Sequence, residues 1–357
     1  MILVTGATGF VGRALVRRLL LDWPGYGVAA ATRRSRVEMP DRVRMHQVGD
    51  LAPDTDWGDA LAGVRIVVHC AARVHMMRDT AGDPLAEFRR ANVAGTLNLA
   101  RQAAAVGVRR FVFISSVKVN GEGTTLGHPY TADGSVQPED AYGQSKAEAE
   151  AGLREIAQES GMELTIIRPV LVYGPGVKGN FLSMLRWVRR GVPLPLGAVT
   201  GNRRSLVALD NLVDLICTCI DHPAAANQVF LASDGEDLST AGLLKRIGVA
   251  LGQPARLIPV PVALLALGAR VLGRRTVAQR LLGSLQVDIN KNQDLLGWRP
   301  PLSVDEAPCQ HAYVLGITHV NPTSRIREVE PACRGRKGPF PVKVFTTQSP
   351  PSGPIPP

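Results

Sequence analysis

The sequence predicts an α/β fold, in which a doubly wound parallel sheet is followed by a smaller C-terminal lobe. In the first half, short apolar runs alternate with amphipathic stretches of helical period. Strands that alternate with helices predict a parallel sheet covered by helices on both faces. After about residue 175 the alternation gives way to Pro- and Gly-rich loops and shorter helices. We therefore expect a nucleotide-binding domain at 1–175, with later elements able to return to its sheet, and a substrate-binding lobe at 176–307.

The elements of the first half follow one another in a regular order. The predicted strands are MILVTG, GVAAAT, VRMHQVGD, VRIVVHCAA, RRFVFISS and ELTIIRP. The predicted helices are VGRALVRRLL, ANVAGTLNLARQAAAVG and YGQSKAEAEAGLREIAQESG. Each helix lies between two strands, as a parallel crossover requires.

The end of the chain differs from the rest in composition. PPLSVDEA predicts a helix start, with Ser303 as N-cap and Glu306 three residues later. Pro308 then interrupts the pattern, and the residues beyond it are aperiodic and rich in Pro, Arg and Ser. Because such a composition buries little apolar surface, we interpret 308–357 as a disordered or aberrant tail.

The composition restricts the function classes. The chain has 45% hydrophobic residues, and PVALLALGARVLG, its most apolar stretch, is short and carries Arg270. It predicts a buried or interfacial helix, so no membrane span is expected. The net charge of +10 favours anionic partners. The arginines are dispersed and no nucleic-acid-binding signature occurs, so a phosphorylated small molecule is favoured over nucleic acid.

The cysteines and the N-terminus predict a cytoplasmic location. Five cysteines are scattered without a CxxC pair, which predicts structural packing in a reducing compartment and no metal site. The chain enters its first strand at once, so no signal peptide is expected.

Three glycines follow the first predicted strand. Gly6, Gly9 and Gly12 form G-x-x-G-x-x-G between the strand ILVT and a helix. Glycine permits a tight turn and a close approach of the backbone to a pyrophosphate, while the helix N-terminus offers N–H groups to the anion. A plain Gly-rich corner is the alternative, but the position at the first strand of a βαβ series favours a Rossmann-type dinucleotide site.

The end of the second strand bears on the choice of cofactor. An acidic residue there would bind the ribose hydroxyl of NAD, and an arginine would favour the 2′-phosphate of NADP. The sequence has Thr32 followed by Arg33 and Arg34, which favours NADP(H) over NAD(H), unless both arginines are merely solvated. Asp50, at the end of the third strand, is placed to bind the adenine amino group, or is a loop residue without a role.

The motif YGQSK supplies a candidate acid/base. Tyr142 and Lys146 are four residues apart and share one face of a helix. A lysine ammonium beside a phenol lowers the phenol pKa, so we expect Tyr142 to exchange protons near neutral pH. Ser115 and Ser116, at the end of the strand FVFISS, are placed to hydrogen-bond a substrate oxygen beside that phenol.

Together these motifs resemble the extended branch of the short-chain dehydrogenase/reductases, the NAD-dependent epimerase/dehydratase family. The words that carry the resemblance run from residue 1 to about residue 305: TGATGFVG, GDL, HCAAR, ANVAGTLNL, FISSVKVNG, YGQSK and IIRPVLVYGPG. The resemblance implies a nicotinamide cofactor and a nucleotide-diphosphate sugar as substrate. It also implies a possible homodimer, since relatives often pair through two helices of the nucleotide-binding domain.

The resemblance assigns roles to individual residues. Tyr142 would be the acid/base, Lys146 would tune it, Ser116 would orient the substrate, and Asn92 would steady the lysine through its helix. Cofactor contacts are implied for Gly6, Gly9, Phe10, Val11, Gly12, Arg33, Asp50, Leu51, Ala71, Ala72, Tyr142 and Lys146. Substrate contacts are implied for Ser116, Lys118, Asn180, Arg203 and Arg204, with Arg280 as a further phosphate contact. For Asn180 the alternative is a helix N-cap before FLSMLRWV.

Departures from the family pattern refine the expected reaction. The 4,6-dehydratases carry Asp-Glu after the active-site Ser or Thr, whereas this chain has Val117 and Lys118. Many 4-epimerases read S-S-x-x-V-Y-G, and this chain reads SSVKVNG, with Lys118 and Asn120 substituted. The pattern looks more like bacterial 4-ketoreductases that act on UDP-4-keto-6-deoxy-N-acetylhexosamines for surface polysaccharide such as the lipopolysaccharide O-antigen. The alternatives are a UDP-hexose 4-epimerase, a sterol or flavonoid reductase of the same family, and a catalytically silent NAD(P)-binding redox sensor.

Overall fold

A parallel sheet of seven strands forms the centre of the computed structural model, which describes residues 1–306 except 24, 35–38, 75–82, 178 and the side chain of residue 180. The strands within this range are β1 (Ile2–Thr5), β2 (Val28–Thr32), β3 (Val43–Gln47), β4 (Ile66–His69), β5 (Arg110–Ile114), β6 (Glu163–Pro169), β7 (Leu171–Tyr173), β8 (Arg204–Ala208), β9 (Gln228–Ala232) and β10 (Asp237–Leu238). The main sheet has the order β3-β2-β1-β4-β5-β6-β9 and every neighbouring pair is parallel. The predicted α/β fold class is confirmed.

The helices of the described residues lie on both faces of this sheet and beyond its edge. They are α1 (Phe10–Asp22), α2 (Gly58–Leu61), α3 (Pro84–Phe88), α4 (Thr96–Ala105), α5 (Ala141–Ser160), α6 (Asn180–Arg189), α7 (Leu209–Asp221), α8 (Thr240–Ala250), α9 (Val262–Val271), α10 (Arg275–Leu282) and α11 (Asn290–Leu296). A π-helical segment, Arg89–Gly95, leads into α4, so the single helix predicted for ANVAGTLNL is divided in two.

The sheet separates two apolar cores because successive side chains of a strand face opposite sides. In β1, Ile2 and Val4 belong to the core that contains α1 and α7, whereas Leu3 belongs to the core that contains α4 and α5. All four residues of β1 are buried, as expected for a central parallel strand. The carboxyl ends of β1, β2, β4 and β5 therefore meet at one edge, where ligands of doubly wound sheets bind.

The residues after β6 build a second, smaller sheet and also return to the first. Strands β10, β8 and β7 form the smaller sheet, with β8 parallel to β7 and antiparallel to β10. A third apolar core, which includes Phe181, Leu206 and Leu244, packs beside it. Strand β9 joins the main sheet next to β6. The described residues belong to one compact unit of the chain, so the division into lobes near residue 175 stays a prediction.

The last described residues confirm one local prediction. The Ser303 hydroxyl accepts from the Glu306 amide at 3.3 Å, and the Glu306 carboxylate accepts from the Ser303 amide at 2.9 Å, which is a reciprocal capping box. The tail predicted at 308–357 lies outside the described residues. Across the part of the chain that the structure describes, no helix is both long and apolar enough to cross a bilayer, and no cluster of metal-ligating side chains occurs.

Candidate active site

The glycine turn between β1 and α1 presents backbone atoms that no side chain covers. Gly6 has a φ of +64°, and a Cβ there would lie 2.7 Å from the Ala71 amide nitrogen at the end of β4. A Cβ on Gly12 would lie 2.3 Å from the Gly6 carbonyl oxygen. Only glycine fits at either position, because the turn, the helix and the neighbouring strand end pack through backbone atoms.

The same turn fits the pyrophosphate of a dinucleotide. Gly9 is the N-cap of α1, and it supplies no side-chain hydrogen bond to the helix. The amides of Phe10, Val11 and Gly12 are the first of the helix, where N–H groups have no partner within the helix. The first turn carries no acidic residue that would compete for them. Backbone donors at a positive helix end, with no side chain in the way, suit an anionic diphosphate.

The end of β2 carries no carboxylate. Thr32 is buried, and its hydroxyl donates to the Arg34 carbonyl at 3.0 Å. The exposed Arg33 guanidinium lies 3.6 Å from the Asp50 carboxylate. The two residues predicted to hold the adenosine end are therefore brought together, but as an exposed pair of opposite charge. This contact reduces the positive charge on which the NADP(H) prediction depended.

Three further predicted cofactor residues lie along the same edge. Leu51, directly after Asp50, is half-buried and packs against the core that contains α4 and α5. Ala71 and Ala72 follow β4 and are half-buried. The Ala71 amide donates to the Thr5 hydroxyl at the end of β1, at 3.3 Å. Ala71 also lies against the glycine turn, since a Cβ on Gly6 would meet its amide nitrogen.

The acid/base pair lies on the first turns of α5. Tyr142 is the second residue of α5, and Lys146 is one turn further on the same helix face. The Tyr142 ring packs edge-on against Phe88, with ring centroids 6.0 Å apart. Burial, followed by the negative charge of Asp140, raises the pKa of Tyr142 to about 12. The prediction from the sequence was a lowered pKa, because it took account of the Lys146 charge but not of the burial or of Asp140.

Lys146 is held at the end of β5. Its side chain is buried, its Nζ donates to the Ile114 carbonyl at 2.9 Å, and Nζ lies 4.4 Å from the centroid of the Phe113 ring. Burial lowers the pKa of Lys146 to about 8, against the charge of Glu150, which raises it. The lysine is thus fixed in position and still largely protonated at neutral pH.

Asn92 joins the loop after β4 to the helix of the acid/base pair. It is buried within the π-helical segment Arg89–Gly95, a type of helix often found at functional sites. Its amide oxygen accepts from the Arg73 amide at 2.8 Å, and its Nδ2 donates to the Ser145 hydroxyl at 3.1 Å. Ser145 donates in turn to the Tyr142 carbonyl at 2.8 Å. The residue implied to steady Lys146 therefore contacts the residue next to it in α5.

The two serines after β5 have different surroundings. The Ser115 hydroxyl is buried and donates to the Glu150 carboxylate at 2.6 Å, and that carboxylate also accepts two hydrogen bonds from Arg168. Ser116 is half-buried, and its hydroxyl accepts from the Lys118 amide at 3.3 Å. Ser115 is therefore committed to the core, and Ser116 is the serine that faces the site edge.

Lys118 lies among carboxylates. Its Nζ donates to Glu122 at 2.6 Å and also to Asp140. Asp140 is the N-cap of α5 and accepts from the Gly143 amide at 2.7 Å. Burial opposes ionisation of Asp140, but the hydrogen bond from Lys118 and that from Gly143 together hold the pKa of the carboxyl below its usual value. The cation predicted to touch substrate instead joins the loop after β5 to the helix that carries Tyr142.

Arg204 and Arg280 both follow residue 175, and the charge of one acts on the other. Arg204 begins β8, and its guanidinium donates to the Gly283 carbonyl at 3.2 Å. Burial, followed by the positive charge of Arg280 on α10, lowers the pKa of Arg204. Two neighbouring guanidiniums destabilise each other until an anion binds between them. Arg204 and Arg280 are therefore the candidate phosphate ligands among the arginines predicted from the sequence.

The remaining predicted substrate residues lie elsewhere or lie outside the described part. The Arg203 guanidinium donates to the carbonyls of Thr200 and Asn202, both at 2.9 Å, so it secures its own loop. Asn180 is the first residue of α6, and its side chain lies outside the described structure. Gly179 is the N-cap of α6, with a φ of +72°, so the alternative that Asn180 is the N-cap is wrong.

A buried histidine lies beneath this edge, and no sequence pattern indicated it. The two ring nitrogens of His69 lie 2.6 Å from the Thr5 hydroxyl and 2.9 Å from the Thr96 hydroxyl. Burial, followed by the charge of Lys146, lowers the pKa of His69 to about 3, so the ring is neutral. Because Thr5 accepts from the Ala71 amide, its own proton is free for Nδ1, and Nε2 then donates to Thr96. The histidine ties β1, β4 and α4 together below the site.

Comparison with known proteins identifies the family to which this chain belongs. The model of the "NAD dependent epimerase/dehydratase family" matches residues 2–232. A UDP-glucose 4-epimerase of Vibrio cholerae is 50% identical over 305 residues, which cover 85% of this chain and 92% of that protein. An N-acetyl-alpha-D-glucosaminyl-diphospho-ditrans,octacis-undecaprenol 4-epimerase of Escherichia coli O157:H7 is 30% identical over 277 residues, which cover 74% and 77%.

Solved structures share the fold at lower identity. The UDP-glucuronic acid 4-epimerase of Bacillus cereus in complex with NAD superposes with a TM-score of 0.72 at 19% identity, covering 88% of this chain and 98% of that chain. The UDP-glucose 4-epimerase of Thermotoga maritima with UDP-glucose gives 0.69 at 22% identity, covering 88% and 98%. The fold and the family model thus define an enzyme of a nicotinamide-dependent class, with Tyr142 and Lys146 as the candidate acid/base residues. The chain belongs to the NAD-dependent epimerase/dehydratase family, the extended short-chain dehydrogenase/reductases.

Proposed function

We propose that the protein is a 4-epimerase of a UDP-hexose that uses NAD as a resident cofactor. The observation that carries the proposal is the Tyr142–Lys146 pair on α5, with Lys146 anchored at the end of β5 and the bare glycine turn at the end of β1. The 50% identity to a UDP-glucose 4-epimerase supports this reading more strongly than the 4-ketoreductase.

In this reaction the groups of the chain handle the proton of O4. NAD, when bound, would accept hydride from C4 and return it to the opposite face of the ring. Tyr142 takes the O4 proton as hydride leaves C4 and gives it back when hydride returns, so the sugar is oxidised and then reduced with no net redox change. Ser116 hydrogen-bonds the same oxygen, and the Lys146 charge favours the phenolate.

The pKa of the Tyr142 phenol must fall before it can take the O4 proton, and Lys146 is placed to lower it. Burial and Asp140 hold the pKa of Tyr142 at about 12, while the buried ammonium of Lys146 stands one turn away on the same helix face. The Lys146 ammonium favours the phenolate over the phenol and so opposes the effects of burial and of Asp140 on this pKa.

The charges of Arg204 and Arg280 support a nucleoside-diphosphate substrate. Arg204 and Arg280 lie near each other at the second lobe, and a nucleoside diphosphate supplies two phosphates for two guanidiniums. These contacts would hold the nucleotide so that only the sugar turns between the two hydride transfers. Inversion at C4 requires contacts to the diphosphate that do not depend on the orientation of the sugar.

Contacts of the residues after Ser116 argue against a 4,6-dehydratase and remove the sequence argument for a ketoreductase. Val117 is buried and Lys118 is paired with two carboxylates, so neither supplies the acid pair of a 4,6-dehydratase. Asn120, where many 4-epimerases have tyrosine, accepts from the buried Arg168 at 3.1 Å. These substitutions serve the core and the helix cap, so they no longer favour a ketoreductase.

The cofactor is proposed to be NAD. The family model is that of an NAD-dependent family, and the exposed Arg33 guanidinium lies beside the Asp50 carboxylate. NADP(H), which the arginines favoured at first, would have to draw Arg33 away from this partner.

A lipid-linked diphosphate sugar is a second candidate substrate. The 30% identical E. coli relative is named for such a substrate, and helix α9 beside the Arg280 helix has no buried residue. A polyprenyl chain leaving the diphosphate would find apolar surface there.

The proposal is tested by releasing the cofactor. The purified protein is denatured and its nicotinamide identified, and turnover of UDP-glucose is measured for the wild type and Tyr142→Phe without added cofactor. We expect bound NAD, turnover by the wild type and at least about a hundredfold loss in Tyr142→Phe. An empty site that takes NADPH would favour the ketoreductase. Bound NAD without turnover of any nucleotide sugar would favour the redox sensor, and near-normal turnover in Tyr142→Phe would refute the mechanism.

A further inference from the structure

Helices α9 and α10 present an apolar surface to solvent. Leu264, Leu267 and Val271 recur at i, i+3 and i+7 along one face of α9 and are 58%, 57% and 78% exposed. Leu272, in the turn that follows, is 75% exposed. Neither helix contains a buried residue, and the pair is attached through the half-buried Leu265 and Leu282. An apolar helix that is exposed over most of its surface marks an interaction site.

Positive charge borders this surface. Arg270 ends α9, Arg274 caps α10 and Arg275 begins it, and all three are exposed. None of the three makes an ion pair within the described residues. The surrounding sequence, 238–287, contains seven Lys or Arg residues and no Asp or Glu. Four of these seven, Arg270, Arg274, Arg275 and Arg280, lie on the two helices or in the turn between them, so the border of the apolar surface is basic.

We propose that the α9–α10 hairpin docks the enzyme on an anionic bilayer surface. Apolar side chains of α9 would enter the region between headgroups and acyl chains, and the arginines at the turn would contact the anionic headgroups. The hairpin lies along the surface and does not span the bilayer, since α9 has ten residues and a span needs about 20.

Charge favours a bilayer over two other occupants. In a symmetric dimer through this patch both copies would bring Arg270, Arg274 and Arg275 to one interface, and residues 238–287 contain no acidic side chain to neutralise them. Residues 307–357 carry six basic and two acidic side chains, so this segment also has the sign of the patch. Anionic lipid is the occupant that supplies both apolar volume and negative charge.

Docking would place the site toward the membrane. Arg280, one of the two proposed diphosphate ligands, belongs to α10, whose other end carries Arg275. A bilayer under the hairpin would therefore lie against the helix that carries a proposed diphosphate ligand. The proposal does not depend on the reaction catalysed, and failure of the epimerase assay would leave it standing.

Vesicle sedimentation of the full-length protein tests the docking. Wild type is mixed with vesicles of phosphatidylglycerol and phosphatidylethanolamine, and separately with phosphatidylcholine. We expect sedimentation with the anionic vesicles that weakens with added salt. Leu264→Gln/Leu267→Gln should bind at least about tenfold more weakly, and Arg274→Gln/Arg275→Gln about fivefold more weakly for each arginine lost.

Matched controls separate docking from general effects. Leu21→Gln, at a leucine of α1 that is 78% exposed, should bind as wild type. Thermal unfolding of each variant verifies the fold, and a Leu267→Trp variant should show a blue-shifted emission on anionic vesicles. No sedimentation of wild type, or binding unchanged in both double variants, would overturn the proposal. A dimer that Leu264→Gln/Leu267→Gln dissociates, without vesicle binding, would assign the patch to a second copy and also overturn it.

Discussion

Replacing Gly12 by alanine should damage cofactor binding through a backbone collision. The added Cβ would lie 2.3 Å from the Gly6 carbonyl oxygen and 2.9 Å from the Ala7 Cα. Ordinary contacts of carbon begin near 3.5 Å, so the turn and α1 must separate by about 1 Å. Hydrogen bonds from the helix amides to a pyrophosphate tolerate only about 0.5 Å between their short and long limits. The displacement therefore exceeds what these bonds accommodate.

The expected loss is at least tenfold in cofactor affinity, which is about 1.4 kcal/mol, together with about 1–3 kcal/mol in the free energy of unfolding from overpacking. The assays are the amount of nicotinamide released per chain and a fluorescence titration of the apo protein. Gly25→Ala is the control, because a Cβ on Gly25 meets no atom within 4 Å. Wild-type affinity in Gly12→Ala would refute the assignment of the turn as the pyrophosphate site.

Three further changes have defined outcomes. Glu150→Gln should lower the free energy of unfolding, measured in urea, by about 3 kcal/mol or more, because the buried Arg168 guanidinium loses its counter-charge. Arg154→Gln, at an exposed partner of the same carboxylate, should lower it by under about 0.5 kcal/mol. Asp140→Asn keeps the helix cap and removes a charge that raises the pKa of Tyr142, so the acidic limb of the pH–rate profile, where Tyr142 must lose its proton to act as the base, should move to lower pH. In the wild type, the free energy of unfolding should fall as the pH drops below 6.5, because His69 takes up a proton in the unfolded chain but stays neutral in the folded chain down to about pH 3. In His69→Asn this fall should be smaller.

Each of these has a contradicting result. Equal costs for Glu150→Gln and Arg154→Gln would mean that burial does not determine the strength of the ion pairs. An unchanged pH profile in Asp140→Asn would remove Asp140 from the surroundings of the phenol. An unchanged pH dependence of stability in His69→Asn, relative to wild type, would show that the imidazole does not titrate on unfolding.

The main sheet was predictable because its signals are local. Alternating apolar and amphipathic runs identify β1 to β6 and the intervening helices, and the Gly6–Gly12 spacing identifies the turn. Tyr142 and Lys146 were found because a helix places residues four apart on one face. The Asn92 contact to α5 was implied only by family resemblance, since the two segments are far apart in sequence.

Residues whose roles depend on tertiary contacts could not be predicted in the same way. Lys118 was predicted as a substrate contact because its sequence neighbours are active-site residues, but its carboxylate partners Glu122 and Asp140 lie in two different segments. The helix-cap pattern before Tyr142 would have identified Asp140 as an N-cap, and with it a charge near the phenol. His69 had no signal, because its hydroxyl partners come from β1 and α4.

The central claim is inversion at C4 by an enzyme that retains its own cofactor. UDP-glucose that carries deuterium at C4 is incubated with the purified protein without added nicotinamide, and the products are followed by NMR. The account predicts UDP-galactose that keeps the deuterium at C4, because the hydride leaves and returns within one active site. Absence of inversion, or UDP-galactose whose C4 deuterium has been replaced by solvent hydrogen, would contradict it.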